Sequence, residues 1–312
     1  MNVLLPSSSR HPFQSSRASL RACLCAVLST LSILCLSLSV NSIIASKAEA
    51  QEVGLQLYSL RHQLEKDVPS TLKRLQEWGI TSVENVDSTW GLSADEFRHQ
   101  LQQHNIKVVS VGTSYEEMRD NPMAVVYKAR FYGADYATFF YIPYIDSISF
   151  KFKDAVTSTE AMNQSGRILQ DHGITLQYHM HGYEFTKHEN GTLADYMLQN
   201  VEHAKFQLDT FWVKHGGGNP AALLEKYPGK FSSLHLKDRR KGTPVSPSGN
   251  APDDTSVALG TGNADIAKVI KEARKQGIRY WFVEDESEEV LTQLPQSLKF
   301  VYKKLGRDLP GR

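Results

Sequence analysis

The sequence predicts a (β/α)8 barrel, and three observations carry the prediction. From Gln51 onward short β-rich runs alternate with longer amphipathic stretches eight times, and no low-complexity linker interrupts them. That region holds 312 − 50 = 262 residues, against roughly 250 for such a barrel. Four of the β-rich runs end in His, Asp or Glu, and a barrel gathers its chemistry at the carboxyl ends of its strands. A doubly wound open sheet is the competitor, but it wants a glycine-rich phosphate loop after the first strand. Leu55-Gln56-Leu57-Tyr58-Ser59-Leu60 contains no glycine.

The eight units follow in order. Val53 to Tyr58 is the first strand, and a helix opens at Asp67-Val68-Pro69-Ser70, where an acidic residue and a proline suit a helix entrance. Leu72, Leu75 and Trp78 have helical spacing, and Gly79 ends the helix. Thr81 to Glu84 is the second strand; Ser93-Ala94-Asp95-Glu96 matches a capping box and opens a helix running to about His104. Lys107 to Gly112 is the third strand, followed by a helix over Pro122 to Tyr132. Tyr136 to Tyr141 is the fourth, with a helix over Lys153 to His172. The fifth strand lies in Leu176-Gln177-Tyr178-His179-Met180-His181-Gly182-Tyr183-Glu184-Phe185, before a helix at Leu193 to Asn200. Phe206 to Asp209 and Ser232 to Lys237 are the sixth and seventh strands, the first of them followed by a helix at Pro220 to Tyr227. After a Gly/Pro/Ser/Asp-rich loop from Arg239 to Asn263 come a helix over Asp265 to Gln276, the eighth strand Tyr280 to Glu284 and a closing helix at Gln296 to Lys304.

The first fifty residues differ. Arg10, Arg17 and Arg21 precede an uncharged stretch from Ala22 to Ser46, and Ala48-Glu49-Ala50 has the small-x-small pattern of a signal-peptidase site. Residues 1–50 are therefore expected to be a signal peptide cleaved after Ala50, delivering the 51–312 barrel domain to the periplasm or the cell exterior with no stable membrane insertion. An uncleaved anchor is the alternative, since the stretch is long enough to span a bilayer. Lipid attachment at Cys35 fits less well, because bulky Leu34 precedes it. Cys23, Cys25 and Cys35 all lie in this leader, so the remainder has no thiol for a disulfide or a nucleophile. Without the leader 35 − 4 = 31 basic residues face 34 − 1 = 33 acidic ones. Near neutrality argues against a nucleic-acid partner. The oligomeric state is not set by these features.

Chemistry concentrates at the strand ends. His179 and His181 share a face if the fifth strand runs through both. With Asp209, His235 and Glu284 they offer the imidazole and carboxylate mixture that divalent transition metals accept. Asp209 is the hardest to explain otherwise, since an ionised carboxylate among apolar strand residues needs a partner; a salt bridge to Lys237 is the plain alternative. Lys237 shares a face with His235 and would bind a substrate oxygen, act as an acid, or pair with Asp209 or Glu284. Glu84 is either a substrate or outer contact or a barrel-mouth salt bridge. Gln56 and Tyr58 share a face of the first strand and could reach polar groups of a small ligand, and Trp212 with Phe211 offers an apolar surface for a ring. Packing explains each of these as well. Asp238, Asp285 and Glu286 read as solvated rim charges. The Arg239 to Asn263 loop reads as a lid or as disordered, and its Gly260-Thr261-Gly262 is too short for a phosphate motif.

Gly54 to Arg61, Tyr178-His179-Met180-His181-Gly182-Tyr183-Glu184-Phe185, Leu208 to Val213, Leu234-His235-Leu236-Lys237-Asp238 and Val283-Glu284-Asp285-Glu286-Ser287 together resemble the sugar phosphate isomerase/epimerase family of xylose-isomerase-like barrels. The motifs stand in that family's order and cover nearly all of residues 51–312. The resemblance implies a divalent metal (Mn, Co, Zn or Mg) held by His179, Asp209, His235 and Glu284. It also implies a small carbohydrate substrate and removal of a proton α to a carbonyl by Glu284 or Glu84, through a metal-stabilised enediolate. The outcome would be isomerisation, epimerisation or β-elimination. Many epimerases of the family carry Glu at the position of His179 and use two metal-bound glutamates as opposed acid and base. Some relatives that dehydrate or eliminate from keto-sugars carry His there. The rival readings are a 3-keto-glycoside lyase or hydratase and a sugar-binding protein without turnover.

Overall fold

A computed structural model describes residues 50–84, 88–144 and 149–310. The expected leader and its three cysteines lie outside the described residues. Eight parallel strands close into a barrel in which each pairs with its sequence neighbours and the last returns to the first. They are β1 (Glu52–Gln56), β2 (Ser82–Glu84), β3 (Lys107–Thr113), β4 (Tyr136–Phe139), β5 (Thr175–His179), β6 (Lys205–Asp209), β7 (Phe231–Leu236) and β8 (Tyr280–Val283). Around them run α1 (Arg61–Lys66), α2 (Val68–Glu77), α3 (Ala94–Gln103), α4 (Tyr115–Asp120), α5 (Pro122–Tyr132), α6 (Phe152–Asp171), α7 (Leu193–Asn200), α8 (Thr210–His215), α9 (Pro220–Lys226), α10 (Ile266–Lys275) and α11 (Val290–Leu305). Among the described residues no helix is long and apolar enough to cross a membrane.

Local chemistry sets the boundaries. Asp67 caps α2 by accepting from the Ser70 amide, and Pro69 sits in the first turn. Ser93 and Glu96 form the expected capping box of α3, and Asn121 caps α5 with Pro122 behind it. Leu72 and Leu75 are fully buried, so the helical stripe faces the barrel.

The structure corrects several boundaries. The first strand stops at Gln56, and Leu57–Leu60 turns into a 3-10 segment because the Gln56 side chain accepts from the Tyr58 amide. Tyr58 is therefore not on a strand face with Gln56. The fifth strand ends at His179, which leaves His181 in the loop beyond it. Helices α1, α4 and α8 were not foreseen; each is six residues long, too short for a periodic signal. The Arg239 to Asn263 segment is not structureless: Asp238–Arg239 pairs antiparallel with Ser256–Val257.

Most small barrels fill their interior with branched apolar side chains. Here a hydrogen-bonded polar ladder climbs the inside. Ser110 bonds Thr138 (2.6 Å), Gln177 donates to Thr138 (2.7 Å), Ser233 donates to Gln177 (2.9 Å) and Gln207 donates to Ser233 (2.9 Å). Two residues further along β5, β6 and β7, the same inward face presents His179, Asp209 and His235.

Candidate metal centre

The ladder ends in a knot of ionisable groups at the carboxyl ends of the strands. Ligand atoms of His179, Asp209 and His235 lie within 4.8 Å of one another, and all three residues are buried. The Nδ1 of His235 lies 2.6 Å from Glu284 Oε2 and 3.7 Å from Asp209 Oδ2, while its Nε2 touches Glu84. Lys237 Nζ stands 3.3 Å from Glu284 and 2.8 Å from Glu286. The sequence alternative for Lys237, a pair with Glu284, is therefore realised, and no ion pair joins it to Asp209 among the described residues.

Each position has a local cause. Asp209 closes β6 and also caps α8, its Oδ1 accepting from the Trp212 amide at 2.6 Å, which leaves Oδ2 turned to the knot. Gln207, two residues earlier on the same face, fixes its neighbours. Its Nε2 donates to Glu84 (2.8 Å) and Ser233 (2.9 Å), so its Oε1 accepts from His179 Nδ1 at 3.0 Å. That bond settles the tautomer and frees His179 Nε2 as a lone-pair donor. Sequence reading missed Gln207; its place two residues before Asp209 on a predicted strand was the available signal.

His181 is held another way. Its amide donates to the buried Glu184 carboxylate at 2.9 Å, and its ring stacks on Trp212 at 4.7 Å. The loop can lie so close to α8 because a side chain is absent at two glycines. A Cβ on Gly216 would sit 2.2 Å from the Gly182 carbonyl oxygen, and one on Gly182 would sit 2.6 Å from that of Trp212.

Burial dominates the electrostatics. It lifts Asp209 and Glu84 each to about 7, although Lys237 (for Asp209) and His235 oppose it. Burial holds His179 neutral and, with Lys237, takes His181 down to about 4. For His235 burial works downward, but the Glu84 and Glu284 carboxylates outweigh it and raise the ring to about 9. Burial would raise Glu284 too, yet Lys237 and His235 hold it well below the usual carboxylate range.

A divalent cation fits this donor set. Four carboxylates gather here, Glu84, Asp209 and Glu284 around the His235 ring and Glu284 and Glu286 around Lys237. Among the described residues, Asp209 Oδ2, Glu284 Oε2 and both ring nitrogens of His235 are buried and crowd one another in ion-pair contact without forming a well-directed hydrogen bond. Orphaned carboxylate and imidazole atoms converging on one point are what a cation would satisfy.

A cavity of about 670 Å³ opens above the knot, lined by the buried His179, Glu284, Gln56 and Trp212, the half-buried His181, Glu286, Phe140 and Trp90, and the exposed Tyr58. Glu84 and Lys237 do not line it; both are sealed beneath. Glu286 is not a solvated rim charge, nor are Asp238 and Asp285, which are 2% exposed. The Asp238 carboxylate accepts from the amides of Gly260, Gly262 and Ala264, so those glycines clasp an internal anion.

A family model described as Xylose isomerase-like TIM barrel matches residues 72–304. A curated inosose dehydratase from Clostridium beijerinckii is 32% identical over 84 residues, covering 26% of this chain and 27% of that protein, so the match spans about a quarter of the relative's length. A solved sugar phosphate isomerase/epimerase from Parabacteroides distasonis superposes with a TM-score of 0.65 at 22% identity, over 81% of this chain and 96% of its own. The IOLI protein, solved with a bound zinc atom, gives 0.62 at 16% identity over 82% and 96%.

Proposed function

Since the chain belongs to the xylose isomerase-like TIM barrel family, whose relatives include isomerase/epimerases and dehydratases, we propose that it is an exported, divalent-metal-dependent enzyme that removes a proton α to the carbonyl of an unphosphorylated keto-sugar. The observation that carries the reading is the buried convergence of His179, Asp209 and His235, with Glu284 against His235, beneath an open cavity. When bound there by these four residues, the metal supplies Lewis acidity that polarises a substrate carbonyl.

The chain's own groups divide the rest. Glu284, kept anionic by Lys237 and His235, serves as ligand. Glu286 reaches the cavity and holds the Lys237 ammonium at 2.8 Å, so it is the carboxylate placed to take up the proton. Lys237 and Glu84 act through what they touch: Lys237 fixes the two glutamates, and Glu84 braces His235 and Gln207. His181 and Gln56 line the cavity as polar contacts for hydroxyls, and Tyr58 and Trp212 as apolar walls.

A second reading, β-elimination from a 3-keto-glycoside, is favoured by one observation. Glu284 and Glu286 come from the same strand end, and Glu84 is sealed off. Epimerisation through two opposed carboxylates requires one on each side of the substrate carbon, whereas isomerisation and elimination need a single base. In the elimination Glu286 takes the α-proton, the C–H electrons pass into the carbonyl system and then form the C–C double bond as the bond to the β-alkoxide breaks, and the alkoxide recovers that proton from Glu286. Incubation of the manganese- or cobalt-loaded protein with keto-sugars and 3-keto-glycosides in deuterated water tests both readings. Deuterium beside the carbonyl or loss of the aglycone is expected, and neither event across the panel would overturn them.

A further inference from the structure

We infer that the outer part of the cavity is a second binding site for a ring, built on Trp90 and Tyr58, so that the substrate is a glycoside with a cyclic second unit rather than a free monosaccharide. This rests on the keto-sugar reading above and deepens it. A cavity of about 670 Å³ lies in the middle of the range that takes drug-sized molecules, roughly 300–1,000 Å³. It has room beyond one sugar held at the polar floor.

Trp90 carries the argument. Thr89 to Leu92 is a tight turn, closed by the Leu92 amide on the Thr89 carbonyl (3.1 Å) and the Thr89 hydroxyl on the Leu92 carbonyl (2.6 Å). Both central residues have positive φ, 48° at Trp90 and 85° at Gly91, the signature of a turn that normally places Asn, Asp or Gly first. A bulky L residue is disfavoured there, and such strain persists where the surroundings impose it, commonly at ligand clamps. Trp90 packs against the buried Phe97 at 5.4 Å while lining the cavity. A side chain needed only to fill space would not require so disfavoured a backbone.

Tyr58 supplies a second aromatic wall. It is 45% exposed, and one face of its ring carries the Arg61 guanidinium at 4.5 Å, which lines the same cavity. Arg61 is itself tied to Asp253 (3.1 Å), the Glu286 carbonyl (3.3 Å) and the Tyr58 carbonyl (3.2 Å). An exposed aromatic ring held on one face by a fixed guanidinium loses little freedom when a planar or pyranose ring stacks on the other.

The test compares binding of 4-nitrophenyl β-D-glucopyranoside and methyl β-D-glucopyranoside to the metal-loaded protein by calorimetry and tryptophan-fluorescence quenching. The nitrophenyl glycoside is expected to bind about tenfold more tightly. The preference should fall to within about twofold in Trp90→Asn, whose side chain suits the turn, and survive in Trp90→Phe. An equal preference in Trp90→Asn, or none in the unsubstituted protein, would overturn the inference. Deuterium exchange with the keto-sugar panel separates the two failures, because exchange without a ring preference removes this inference alone.

Discussion

Two buried charged sites lie at the carboxyl end of β7 only a few residues apart, and they differ in how their charges are met. At Asp238 and Arg239 every charged group is answered from inside the chain. The carboxylate takes the amides of Arg239, Gly260, Gly262 and Ala264, while the guanidinium donates to the carbonyls of Thr243 and Pro244 and to His215. At His235 the carboxylates of Glu84, Asp209 and Glu284 crowd one imidazole, and among the described residues several of their atoms form no well-directed hydrogen bond. The first is a clasp that holds a loop. The second is a set of donors arranged for something other than one another. Buried polar groups are met almost everywhere in folded proteins, so an unmet cluster marks function.

The contrast breaks most sharply with Asp209→Asn. Turnover is expected to fall by at least about 100-fold, while the Tm of the metal-free protein stays level or rises, because a crowded carboxylate is gone. Gln207→Leu comes next. It removes the acceptor that sets the His179 tautomer, and metal affinity should drop roughly 10- to 100-fold in a chelator competition. Asp238→Ala should do the reverse of Asp209→Asn. It strips a buried anion from several amides and should cost about 2–4 kcal/mol in denaturant unfolding, or a Tm loss of roughly 5–10 °C, with metal content intact.

The smallest effect belongs to Asp195, a third kind of charge, its side chain 15% exposed. It is burdened by burial, but Lys226, Tyr227 and Thr192 bring it down to about 2 from 3.8. A depressed folded-state value stabilises above the unfolded pKa and is lost as pH falls through the folded one. The Asp195→Asn variant should therefore be less stable at neutral pH by on the order of 1 kcal/mol, and the gap should close between about pH 4 and pH 2.

The fold was legible because β-rich runs alternate with amphipathic stretches eight times, and the caps and glycine stops that occur agree with that alternation. Asp67, Ser93 and Asn121 cap as their local sequence allows. His179, Asp209, His235 and Glu284 could be named because each closes a β-rich run. Their mutual packing was not legible, since it depends on which residues face inward at matching heights. Hence Lys237 and Glu84 proved sealed, Glu286 proved to line the cavity, and Asp238 proved an internal anchor rather than a rim charge. Trp90 gave no signal, because a turn with a tryptophan in a glycine-like backbone contradicts every local preference.

In the proposed reading His179, Asp209, His235 and Glu284 share one divalent ion. Metal analysis of protein dialysed against manganese or cobalt, and then against buffer, tests it most directly. About one tightly held ion per chain is expected, lost in Asp209→Asn and retained in Asp238→Ala. Equal metal content in Asp209→Asn and the unsubstituted protein, or none in either, would contradict it.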